Sequence, residues 1–144
     1  ETYTALDGRV TQRMETRGGL QAFQNHAIVC DAWHMQLFDR HKGPGLQSID
    51  EMLLSSPDHR GATGPMLFRI GFGVEYVGEE SITVKAGKFD ALHFRFVSSP
   101  GLPQAHPAYD IWCTADGDYI FLKGVIGGYM LTEYELVRLE YEKG

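Results

Sequence analysis

Glu79–Val97 reads EESITVKAGKFDALHFRFV. The pattern is that of a β-hairpin. Ile82 and Val84 answer Leu92, Phe94 and Phe96 in type, and Ala86-Gly87-Lys88 between them makes the turn. Thr83 and Lys85 share the other phase, as do His93 and Arg95. A period of two sends these sets to opposite faces of a sheet. The rest of the chain reads as sheet added to either side of this hairpin.

Toward the C-terminus, Ser98–Pro107 is a Pro/Gly loop, and Tyr109–Ala115 is a strand closed by the turn signal Asp116-Gly117. Asp118–Lys123 returns, Gly124–Gly128 is a looser connection, and Tyr129–Tyr141 alternates as a last long strand. Toward the N-terminus, Leu67–Val77 carries Phe68, Ile70, Phe72, Val74 and Tyr76 on one face. Its other face has Arg69, Gly71, Gly73 and Glu75, and the glycines mark a bend or room for something against the backbone. Ser55–Pro65 is dense in turn formers, holds Asp58, His59 and Arg60, and has the length of a lid over a cavity. Leu46, Ile49 and Leu53 recur at helical spacing, so a short helix is expected over Leu46–Leu54, after a charged loop at Asp39–Gly45. Leu20–Phe38 is rich in β-formers and reads as a long strand with neither face cleanly polar. Asp31 within it must find a donor or sit at a rim, since a bare buried carboxylate is too costly. Thr2–Leu6 and Arg9–Arg17 are strands around a turn at Asp7-Gly8, and Gly18-Gly19 makes the next turn.

These elements fit one domain over residues 1–144. With 17 glycines and 12% aromatic residues, the composition favours an all-β fold over a helical bundle. The expected fold is mainly β. It is an antiparallel up-and-down curved sheet closing into a barrel or half-barrel, lipocalin-like or lipoprotein-carrier-like, with one or two short helices. The formal net charge of −6 speaks against a nucleic-acid partner and against a polybasic membrane anchor. No run is long and apolar enough for a membrane span, and the sequence does not choose between cytoplasm and periplasm. Cys30 and Cys113 read as buried thiols, as a disulfide between neighbouring strands, or, least favoured, as metal ligands.

The phrase from Glu79 to Ala91, with Ile82, Val84, Ala86-Gly87, Phe89 and Ala91 at its fixed positions, resembles the E-x-I-x-V-P-A-G-x-F-x-A hairpin of bacterial DUF3108-type domains. Tyr109–Val137 is similar to them in arrangement, and the likeness covers roughly Tyr76–Leu139. Lys85 stands where those domains have proline, and Ser55–Pro65 has no counterpart there. The resemblance implies a concave sheet related to lipoprotein-carrier half-barrels and suited to holding an apolar molecule. It carries over no catalytic residue.

Within such a sheet, Trp33, Phe72, Phe94, Trp112, Tyr119 and Tyr129 are the candidate ligand-binding aromatics. His59, Arg95, Tyr109 and Asp110, with His34 as an alternative base, are the candidate acid–base set. His26, His41 and His106 look like loop residues, and no His pair has metal-ligand spacing. Neither a G-x-S-x-G elbow nor a P-loop is present, and Gly71-Phe72-Gly73 lies inside a strand, so neither a serine hydrolase nor a nucleotide cofactor is expected. The sequence therefore predicts a cofactor-independent protein that binds a small apolar molecule, aromatic or lipid-like, in its sheet. The alternatives are a lyase, isomerase or hydratase on the same scaffold, and a structural module that pairs as a homodimer.

Overall fold

The computed structural model describes residues 2–6, 9–13, 15, 22–24, 28–54, 68–97 and 107–142. A two-stranded antiparallel sheet joins β1 (Thr2–Leu6) to β2 (Arg9–Arg13). The main sheet has seven strands in the order β3 (Ala22–Gln24), β4 (Gly45–Leu54), β5 (Phe68–Val84), β6 (Gly87–Val97), β7 (Tyr109–Thr114), β8 (Phe121–Ile126) and β9 (Thr132–Glu135). From β4 to β9 it is an antiparallel meander in sequence order, and β3 adds in parallel to the β4 edge. The fold is thus mainly β, built on one curved antiparallel sheet that is not closed among the described residues.

β5 and β6 form the predicted hairpin, paired from Gly73↔Val97 to Val84↔Gly87. Gly87 has φ of +138°, a value that favours glycine, so the second strand begins there and Lys85-Ala86 make the turn. The strand expected to stop at Val77 runs on to Val84. A bulge between Tyr76 and Gly78 absorbs the misfit in phase and makes one 17-residue strand of two expected ones. The last strand is shorter than expected. β9 ends at Glu135, and the chain continues as a strap whose Leu136 N donates to Leu122 O while Leu136 O accepts from Ala86 N.

Two elements differ in kind from the sequence reading. Ile28–His34, expected as strand, is helix α1, followed by a 3-10 turn at Met35–Leu37. The inward residues Asp31, Ala32, Met35 and Phe38 are buried, whereas Val29, Trp33, Gln36 and Leu37 are exposed. That spacing is helical, and the packing of one face outweighs the β-propensity of Ile28, Val29 and Trp33. Cys30 therefore lies in a helix and only Cys113 in a strand, and both thiols are free. Leu46–Leu54, expected as helix, belongs to β4. The register shifts between Ile49 and Met52, both of which are buried. A bulge places two core residues three positions apart, and that interval mimics a helical repeat.

One face of the sheet is covered by α1 and its 3-10 extension. Ala32, Met35 and Phe38 pack with Val74, Leu92, Phe94, Phe96, Ile111 and Cys113. Gly124 of β8 lets the helix come close: a Cβ there would lie 2.7 Å from Ile28 Cδ1. Val84, Ala91 and Leu122 are also buried but stand outside that cluster, and register places Val84 and Ala91 on the opposite face. The strap through Leu136 is bonded to this end of the sheet.

Candidate functional site

The hairpin's alternation builds two polar surfaces. Glu79 pairs with Leu92, Ser81 with Asp90 and Thr83 with Lys88, so Glu79, Ser81, Lys88 and Asp90 share the face of the helix-covered core. Past the end of that core they line a groove of about 650 Å³, together with Glu80, Phe89, Thr114, Ala115 and Asp116. Its floor is tied down where Ala115 N donates to Asp90 O, at 3.0 Å. At the rim, Asp116 Oδ1 accepts from Thr114 Oγ1 at 2.6 Å and from Asp118 N at 3.0 Å. The Thr114 hydroxyl, and after it the Asp118 amide, hold the Asp116 carboxyl below its ordinary pKa. Beside the groove, burial raises the pKa of the Tyr76 hydroxyl, and the Glu79 carboxylate adds to this.

On the opposite face lies a network centred on His93. Its Nε2 is 2.7 Å from Asp110 Oδ1 and its Nδ1 is 3.3 Å from Glu80 Oε1. Arg95 Nε donates to the same Asp110 oxygen at 3.0 Å, and Trp112 Nε1 donates to Glu80 Oε1 at 2.8 Å. Trp112 is itself enclosed. The His93 ring stacks on it from β6, with centroids 4.2 Å apart, and Lys123 Nζ of β8 lies 5.8 Å from its centroid. Both imidazole nitrogens face carboxylates, so neither is turned toward a substrate. This network is internally satisfied and behaves as a cross-strand brace.

A third group is buried between α1 and the sheet. Tyr109 Oη donates to Asp31 Oδ2 at 2.9 Å, and His34 Nδ1 is 3.6 Å from Asp31 Oδ1. Asp31 thus finds the donor its burial demands. His34 Nδ1 is buried, and that distance is too long for a hydrogen bond.

The structure divides the candidate acid–base residues. Arg95 and Asp110 meet on the face opposite α1, whereas Tyr109 and His34 each stand beside Asp31 on the helix side, so the two pairs lie on opposite faces. His59, with the lid at Ser55–Pro65, lies outside the described residues, as do His26 and His106. His41 sits in a 3-10 turn at Arg40–Lys42. Of the candidate aromatics, Phe72 and Phe94 are core residues, Phe94 in edge contact with Phe38. Trp33 and Tyr129 are exposed, Trp112 is enclosed as above, and Tyr119 packs against the core with Arg40 over its ring at 5.8 Å. The described part of the inner face beneath α1 is filled by side chains. Sequence reasoning passed over Glu79, Asp90, Lys88 and Asp116, which line the groove. Their signal was the phase of the hairpin, which places three of them beside Leu92.

No protein family, characterised relative or solved structure matches the chain. Among the described residues, no group of three His, Cys, Asp or Glu side chains is arranged to hold a metal, and no helix is long and apolar enough to cross a membrane.

Proposed function

We propose that this chain is a half-barrel binding module that holds a small molecule in the groove at the open end of its helix-covered face. The observation that carries this reading is the groove itself. Its volume, about 650 Å³, falls in the range of small-molecule sites, and it opens where the packed core beneath α1 ends. The resemblance of the hairpin to DUF3108-type domains, whose concave sheet suits an apolar guest, supports the same face. The side chains that face the groove are polar apart from Ala115, since the Phe89 ring is turned to the other face, which points to a compact molecule with charged ends rather than to a long lipid chain. The test is native mass spectrometry of freshly purified protein with organic extraction, joined to amide chemical-shift mapping of a small-molecule panel. The expected result is a retained or added small molecule that shifts amides at residues 79–81, 88–90 and 114–116. Binding that leaves those amides unmoved overturns the assignment.

A second reading, acid–base catalysis without a cofactor, draws on Tyr109, Asp31 and His34. A phenol bonded to a buried carboxylate with an imidazole alongside is a proton-transfer set. Once a substrate is known, Tyr109→Phe and His34→Gln test it: turnover retained in both variants removes the reading.

A further inference from the structure

We infer that the groove is selective for an amphoteric small molecule, with a protonated amine between Glu79 and Asp90 and an acidic group at Lys88. The inference rests on the groove being the binding site and names the class of its ligand.

The geometry comes from the hairpin register. Glu79 faces Leu92, so Asp90, two residues before Leu92 on the same face, is its diagonal neighbour. Diagonal neighbours lie about 7–8 Å apart, within reach of long side chains. Lys88 follows two residues further along the same row, opposite Thr83. The row therefore reads carboxylate, carboxylate, ammonium along one wall of the groove.

These side chains are not bonded elsewhere, although the Glu79 carboxylate acts on the Tyr76 hydroxyl. The other charges of the hairpin are bonded within the protein: Glu80 to Trp112 and His93, Lys85 to Glu135, and Arg95 to Asp110. Asp116, at the rim, is bonded to Thr114 and Asp118. Glu79, Ser81, Lys88 and Asp90 have neither a hydrogen bond nor an ion pair from their side chains among the described residues. Lys88 and Asp90 share a face two positions apart and still do not pair. A cation placed between two carboxylates at diagonal positions is attracted by both. A primary ammonium with its three donors suits two carboxylates and the Ser81 hydroxyl, and Lys88 then meets the opposite charge at the ligand's other end. The body between the two ends lies along Ala115 and the strand backbone at Phe89, whose ring faces the other side of the sheet with Ala91.

The test is calorimetry and amide mapping on the whole chain with four probes: phenylalanine, phenethylamine, phenylpropionate and a medium-chain fatty acid. Phenylalanine, which carries both charges, is expected to bind about tenfold more tightly than either singly charged analogue, and more weakly as salt is raised. Glu79→Gln and Asp90→Asn are each expected to weaken phenylalanine and phenethylamine about threefold and to leave phenylpropionate unchanged, with Lys88→Gln giving the converse. Glu79, Asp90 and Lys88 are exposed, so the variants keep the fold. If phenylpropionate or the fatty acid binds in the groove as well as phenylalanine does, the inference fails while the groove reading stands. If none of the four moves the groove amides, both fail.

Discussion

Replacing Tyr109 by Phe removes one oxygen from the helix–sheet interface. The ring remains, and so does its stack on Phe96, 4.6 Å between centroids and 6° from parallel. What is lost is the donor to Asp31 Oδ2 at 2.9 Å, on a carboxylate only 1% exposed. A hydrogen bond to a buried charged group contributes about 1.5–3 kcal/mol, and the acceptor left behind keeps its desolvation cost. The expected loss is about 2 kcal/mol, since Asp31 retains other interactions. For a chain of this size that lowers Tm by roughly 6 °C. Urea denaturation of wild type, Tyr109→Phe, Asp31→Asn and the double variant closes a cycle. A coupling above about 1 kcal/mol is expected. A loss under about 0.5 kcal/mol in Tyr109→Phe, or strict additivity in the double variant, refutes the claim that this bond pins α1 to the sheet.

Gly124→Ala puts a methyl 2.7 Å from Ile28 Cδ1 and 3.1 Å from the Phe121 ring. A destabilisation of about 1–3 kcal/mol is expected, partly relieved when Ile28 is shortened to Ala, as urea midpoints will show. Burial pushes the Cys113 thiol up to about 12, so iodoacetamide at neutral pH should label Cys30 in the folded chain and reach Cys113 only after denaturation, read by peptide mass mapping. The Lys85–Glu135 bond raises Lys85 above 10.5 and lowers Glu135 below 4.5. Its stabilisation is therefore complete between those two values, lost as pH falls through the folded Glu135 pKa and lost again as pH rises through that of Lys85. Glu135→Gln should be the less stable protein at neutral pH and converge with wild type at both extremes. A difference that persists in strong acid contradicts the pairing.

The central hairpin was legible because strict alternation, a glycine at the turn and β-branched residues all agree. The same phase separated Arg95 from Phe94 correctly, although which face would be covered depended on where α1 packs. That helix was hidden because Ile28, Val29 and Trp33 favour strands locally, and only contact with Ile111 and Phe96 across the chain overrides them. β4 was misread for a different reason: its bulge moves Ile49 and Met52 into a helix-like interval. The acid–base candidates were chosen by residue type. Sequence adjacency put Tyr109 and Asp110 together, yet neighbours in a strand face opposite ways, and each belongs to a different cluster. The groove residues went unnoticed because charged residues near a hairpin end ordinarily face water.

The strap at Leu136 has a kinetic consequence. Most of the sheet is a meander in which each strand meets the one just before it, an order that favours rapid, local zipping. Several links do not follow that order, the Ala86 N–Leu136 O bond of the strap among them. Lys85 N bonds Glu135 across 50 residues, and Tyr109 bonds Asp31 across 78. Each closes a large loop whose entropy is lost before the contact forms, so the meander is expected to assemble first and these fastenings to come late. Destabilising either one should then hasten unfolding far more than it slows folding.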